Sequence, residues 1–232
     1  MPPGPRTRPA KTALSREAVV AAALRVVDEV GYDAASMRRV AAELETGPAS
    51  LYVYVADRRE LMEAVHDLAL ADVALPTNAD GDWRARLELL IDRMVAALSA
   101  HADIAMAAIA GVPLGPHSLR VNEEVLRLLR VGGIDDAACA WAADLLGQYV
   151  ASSALEQAAW HREQREIADP DRATTEAMGA AFAGRIDTVY AALDPAEFPT
   201  IVALRPLLTG GGGDARASWK LRVIVDGLLA QG

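Results

Sequence analysis

The 232-residue chain holds a single cysteine, Cys139, so neither an intramolecular disulfide framework nor a Cys-based zinc site is expected. Aromatic residues make up only 5%, with two Phe. Sandwich and barrel domains lean on aromatic and β-branched side chains, so this shortage favours helices. The longest apolar run, Ile104 to Leu114, has 11 residues and contains Gly111 and Pro113. A membrane-spanning helix needs roughly 20. The opening Met1-Pro2-Pro3-Gly4-Pro5-Arg6 has no apolar stretch of the secretory type, so a soluble, cytoplasmic chain is expected. Catalytic signatures are missing too. No serine sits in a G-x-S-x-G elbow, and Gly210–Gly213 lacks the Lys-Ser/Thr of a phosphate loop. His66, His101, His117 and His161 show no pairing at metal-ligand spacing and read as surface or capping groups. Glu123-Glu124 and Asp135-Asp136 read as solvent-facing or capping, and Cys139 as a small helix residue. No metal, no cofactor and no enzymatic activity are expected.

Apolar residues reach 52% and charged residues 24%, a globular balance. The net charge of −9 is unevenly spread. Residues 1–60 hold nine Lys/Arg and eight Asp/Glu, whereas residues 61–232 hold 14 and 24. An N-terminal segment can therefore meet phosphate while the body stays acidic. Residues 1–14, rich in Pro and carrying Arg6, Arg8 and Lys11, read as a flexible basic arm.

Ser15 is placed to cap a helix to Val30, closed by Gly31. Ser36 opens a short second helix whose apolar stripe is Met37, Val40, Ala41 and Leu44. Glu45-Thr46-Gly47 breaks it, and Pro48 suits the first position of a third helix, Pro48–Tyr54. Asp57, with Glu60 three residues on, opens a fourth helix to about Leu75. Pro76–Asp82 is a joint. Beyond it, helical periodicity marks 83–101, 104–110, 118–131, 136–165, 175–193, 199–208 and 215–230.

The pair of short helices across 36–54 is a helix-turn-helix pattern. Its second helix must bring small or polar residues against base edges in a major groove about 12 Å wide. Thr46, Gly47, Pro48, Ala49 and Ser50 fill those positions. Tyr52 and Tyr54 offer hydroxyls to phosphate, and Arg38, Arg39 and Arg58 supply charge.

The string Thr46-Gly47-Pro48-Ala49-Ser50-Leu51-Tyr52-Val53-Tyr54-Val55-Ala56-Asp57-Arg58-Arg59-Glu60-Leu61 closely resembles the recognition helix and following helix start of the TetR family of transcriptional regulators. The resemblance implies an all-α protein: an N-terminal three-helix helix-turn-helix DNA-binding domain (15–60) and a C-terminal helical ligand-binding and dimerisation domain (61–232). It implies that Arg38 and Tyr52 touch the DNA backbone, that Pro48, Ala49, Ser50 and Tyr54 face bases or sugar, and that Arg58 binds phosphate where the family usually has lysine. Leu51 and Val55 are implied core. Glu45 stands where a glycine is usual; a positive φ there would cost roughly 1 kcal/mol.

Asp82-Trp83, Gly111-Val112-Pro113, Gly133-Ile134, Ala154-Leu155-Glu156, Phe198-Pro199 and Asp226-Gly227-Leu228 are similar to the tetracycline-repressor branch. There, histidines hold a magnesium–drug chelate; here Ala74 and Ala108 align with them, so no such chelate is expected. The implied cavity is lined by Leu90, Met94, Met106, Val112, Asn122, Leu126, Asp144, Gly147 and Gln148, which suits a mainly hydrophobic small effector. A homodimer interface is implied for Trp141, Tyr149, Ser152 and Leu155 with Trp219, Val223 and Leu228. The expected partners are thus a double-stranded, palindromic DNA operator, a small-molecule effector and a second copy, with no membrane. The expected function is a repressor that leaves its operator on binding effector. The alternative is an all-helical small-molecule-binding or scaffolding protein without DNA binding.

Overall fold

The computed structural model describes residues 14–101, 103–166, 175–210 and 213–230. The basic arm, apart from Leu14, lies outside the described residues. Among the described residues the chain is helical throughout, with no strand.

Three local devices shape the first seventy residues. Helix α1 (Arg16–Val30) opens on Ser15, whose side chain accepts the Ala18 amide. Helix α2 (Met37–Glu43) opens on Ser36 in the same way. It closes through Glu45 N–H to the Ala42 carbonyl (3.0 Å) and Thr46 N–H to the Ala41 carbonyl (2.9 Å). That pairing is a Schellman motif, which places the residue after the cap in the left-handed region. Glu45 accepts that conformation at φ 50°, so the missing glycine leaves the turn intact.

The expected third α-helix is instead a six-residue 3-10 helix, Pro48–Val53, with Tyr54 as its cap. Pro48 has no N–H to give, and the amides of Ser50 and Tyr54 reach back three residues, to Gly47 (3.0 Å) and Leu51 (2.9 Å). Short segments tolerate this tighter winding.

Helix α3 (Arg58–Ala69) opens on Asp57, which accepts the Glu60 amide at 2.8 Å. Glu60 reaches back one residue further than in a capping box, to the Ala56 amide (2.6 Å). The helix ends at Ala69, not at the expected Leu75. Arg120 donates to the carbonyls of Leu70, Ala71 and Val73, which meets acceptors that a longer helix would have satisfied internally.

The remaining helices build the body: α4 (Trp83–Ser99), α5 (Met106–Ala110), α6 (Pro116–Val131), α7 (Asp136–Glu166), α8 (Thr175–Ala191), α9 (Pro199–Thr209) and α10 (Gly213–Leu229). Helix α4 packs against both α6 and α7, and these two pack on each other. Trp83 lies across Gly132, where an added Cβ would come within 2.7 Å of the indole. Apolar side chains from α1 through α7 and from α10 join one buried cluster. Helices α8 and α9 pack chiefly on each other, and no residue of α9 is buried.

Candidate nucleic-acid interface

The 3-10 turn is anchored from beneath and open above. Leu51 is fully buried and Val55 nearly so, as the resemblance implied. Gly47, Pro48 and Ala49 are exposed, and Thr46 and Ser50 half-buried. Tyr52 is 53% exposed and Val53 79% exposed, a large apolar surface that the spacing argument left unremarked. Arg38 and Arg39 lie exposed on α2.

Two of the expected contacts are differently placed. The Tyr54 hydroxyl donates to the Leu14 carbonyl at 2.7 Å, so it ties the turn to the start of α1. The Arg58 guanidinium donates to the carbonyls of Tyr32 and Ala35 and stacks over the Tyr32 ring at 4.7 Å. Both side chains brace the head from within. Ion pairs add to the frame: Arg25 with Glu43 (2.9 Å) joins α1 to α2, and Arg16 with Glu60 (3.4 Å) joins α1 to α3.

Helix α3 also belongs to the body. The Asp67 carboxylate accepts the Ser118 amide at 2.8 Å. The first turn of α6 has no side-chain cap of its own, because its cap residue is Gly115. Asp67 supplies that cap from a neighbouring helix, and a Cβ on Gly115 would fall 2.1 Å from its carboxyl carbon. His101, just past the end of α4, meets Asp28 of α1 at 3.1 Å. A cavity of about 660 Å³ opens between α1, α3 and residues 114–117. Three of its four carboxylates are engaged: Glu60 as above, Glu63 with Arg59 (3.0 Å), and Asp67 with Ser118; the fourth is Glu17.

The expected effector lining is spread over four helices and does not border that cavity. Leu90 and Met94 lie on the buried face of α4, and Asn122 and Leu126 are half-buried on α6. Met106 opens α5 and Val112 follows it; both are exposed. Asp144, Gly147 and Gln148 lie on the exposed side of α7, where Gln148 donates to Asp144 at 2.9 Å. They share that side with Trp141 and Leu145, at three- and four-residue spacing. Of the expected interface residues, Trp141, Trp219 and Val223 are exposed. Leu228 is core, and the Tyr149 hydroxyl donates to the Ala217 carbonyl at 3.0 Å within the chain.

Two polar readings are corrected. His66 is not a surface histidine; it is 3% exposed on α3, and neither ring nitrogen has a hydrogen-bond partner. Burial lowers its pKa to about 4, against a smaller opposing pull from Asp67. Glu124 is buried rather than solvent-facing and is held by Arg127 at 2.6 Å. The Cys139 thiol is buried, and desolvation followed by the nearby Asp136 pushes its pKa up, which leaves it a poor nucleophile. Among the described residues no three His, Cys, Asp or Glu side chains gather as a metal site. No described helix is long and apolar enough to cross a membrane.

A helix-turn-helix head with an exposed recognition turn, standing on a larger helical body, defines a DNA-binding regulator. The family model for bacterial regulatory proteins of the tetR family matches residues 19–65, and that for the tetracyclin repressor-like C-terminal domain matches residues 75–231. The chain belongs to the TetR family and is a ligand-responsive, DNA-binding transcriptional regulator of the repressor kind. It is 30% identical over 223 residues to the HTH-type transcriptional repressor DrrR1 of Streptomyces coeruleorubidus, covering 96% of this chain and 80% of that one. The crystal structure of Streptomyces coelicolor ActR in complex with actinorhodin is similar at a TM-score of 0.78 and 35% identity, over 95% of this chain and 98% of that one. BioQ bound to its double-stranded DNA operator is similar at a TM-score of 0.57 and 29% identity, over 63% of this chain and 89% of that one.

Proposed function

We propose that the protein is a cytoplasmic homodimeric repressor that holds a palindromic operator and leaves it when a small, mainly hydrophobic molecule binds. The observation that carries this reading is the exposed turn Gly47–Val53, seated on fully buried Leu51 and flanked by exposed Arg38 and Arg39. Arg38, Arg39 and the Tyr52 hydroxyl would hold phosphates. Thr46, Gly47, Pro48, Ala49 and Ser50 would lie against base edges, where small side chains permit close approach. Tyr54 and Arg58 position the turn through their bonds to α1 and to the residues after it. Trp141 on α7 with Trp219 and Val223 on α10 would join two copies and set their recognition turns about 34 Å apart, one helical repeat of DNA.

Control follows from differential binding. An effector favours release only by preferring the arrangement in which the two turns are wrongly spaced. Helix α3 carries the turn at one end and caps α6 at Asp67, so it connects the two sites. ActR, similar over nearly its whole length, was crystallised with actinorhodin, which supports an effector of that kind here. The test is a genomic DNA selection with the full-length protein, followed by operator titration with and without actinorhodin. Enrichment of a palindrome and its release by actinorhodin are expected; failure to enrich any DNA would favour the scaffold reading.

A further inference from the structure

The DNA-binding reading gives Val53 no role. It is the last residue of the 3-10 turn, and 79% of it is open to solvent. The residues around it are accounted for. Leu51 and Val55 sit in the core, and the Tyr54 hydroxyl is spent on the Leu14 carbonyl. Tyr52, also exposed, carries a hydroxyl suited to phosphate.

The winding of the turn decides which face Val53 shares. An α-helix would set Tyr54 beside Ser50, four residues on. A 3-10 helix has three residues per turn, so side chains three apart lie one above the other. The Ser50 amide bonded to the Gly47 carbonyl and the Tyr54 amide bonded to the Leu51 carbonyl hold that spacing at both ends. Gly47, Ser50 and Val53 therefore form one row, Ala49 and Tyr52 a second, and Pro48 and Leu51 a third. The third row is seated through buried Leu51, whereas Gly47 and Val53 in the first are exposed and Ser50 is half-buried. Gly47 and Ser50 are among the residues set against base edges above, and Val53 extends their row.

Chemistry narrows what the valine can meet. Its side chain has no hydrogen-bonding group, so it cannot read the donors and acceptors of a base edge. The apolar group that a base pair presents in the major groove is the C5 methyl of thymine. A β-branched side chain is stiff at χ1, so little rotamer freedom is lost on contact. We infer that Val53 is a specificity-determining residue that packs on the methyl group of a thymine in each operator half-site. This rests on the DNA-binding reading above and deepens it.

The test starts from operator DNA selected out of random sequence by the full-length wild-type protein. Each thymine position is replaced in turn, in both half-sites, by deoxyuridine, which lacks only the C5 methyl. Wild type and Val53→Ala are titrated against every duplex. For wild type, one position is expected to stand out, where loss of the methyl weakens binding roughly fourfold per half-site, the worth of one buried methyl group. Val53→Ala is expected to bind the thymine operator with a similar loss, and to lose less than about twofold more when that methyl is removed. Its fold is not at risk, since the side chain is exposed. The deoxyuridine scan of the wild-type protein needs no variant at all. Unchanged wild-type affinity at every deoxyuridine position would overturn the inference and leave DNA binding standing. A methyl effect of the same size in Val53→Ala would also overturn it, by assigning the methyl to another side chain. Enrichment of no DNA by the wild-type protein would overturn both.

Discussion

The head and the α8–α9 pair use apolar residues in opposite ways. In the head, α1, α2, the 3-10 turn and α3 close over Val19, Val27, Val40, Leu51, Val55 and Leu61, all essentially inaccessible. Helix α9 is just as apolar but buries nothing, and Val189, Leu204, Leu207 and Leu208 stay exposed. The head is complete within one chain. The α8–α9 pair has the composition of a core without a core around it. A turn proposed to present Tyr52 to DNA needs a rigid seat, and the buried Leu51 beneath it provides one.

The sharpest way to break this contrast is a pair of truncations. Leu51→Ala, beneath the recognition turn, is expected to lower unfolding stability by about 3 kcal/mol, the usual cost of a large-to-small change in a packed core. Leu207→Ala, 74% exposed, is expected to stay within about 0.5 kcal/mol. Urea unfolding of both variants reads the difference; equal losses would show that α9 is covered in solution.

Acid probes the body through His66, with an effect of similar size. The unfolded imidazole takes up a proton below about pH 6.5, whereas the folded one stays neutral down to about pH 4. Stability is therefore intact above pH 6.5, falls as the pH drops through this window, and levels off below about pH 4. The depression corresponds to about 3 kcal/mol. Unfolding curves from pH 7 to pH 4 should show that component in the wild-type protein and not in His66→Leu. Parallel curves would mean that the imidazole titrates normally.

A smaller loss is expected at the junction. Gly115→Ala drives a Cβ into the Asp67 carboxylate and displaces the cap of α6, at a cost of about 2 kcal/mol. Thermal unfolding checks it; an unchanged midpoint would mean that residues 114–117 yield freely. The smallest effect runs the other way. Glu45→Gly relieves a left-handed residue in the Schellman turn and is expected to add about 0.5 kcal/mol. A loss on that substitution would mean that the Glu45 side chain contributes more than its backbone strain removes.

These cases also show what could be read from the residues alone. Ser15, Ser36 and Asp57 cap the helices they were expected to cap, because a cap and the amide it meets lie three residues apart. Pro48 fixes the start of the turn for a similarly local reason. What escaped was set by partners far along the chain. Helix α3 stops early because Arg120, fifty residues away, meets its trailing carbonyls. Arg58 turns inward to Tyr32 and Ala35, and Tyr54 to Leu14. His66 falls on a buried stripe whose neighbours come from other helices, so no spacing rule along α3 marks it. The effector lining was the least legible part, since Asp144, Gly147 and Gln148 share a helix side with Trp141 that a single chain leaves open.

The central claim is that the exposed turn lies against duplex DNA. An operator titration of wild type and Arg38→Ala over a range of salt concentrations tests it most directly. Loss of the phosphate contact is expected to weaken binding about tenfold and to reduce the salt slope by about one, with cooperative unfolding unchanged because Arg38 is exposed. Identical affinity and an identical salt slope in the two proteins would contradict the claim.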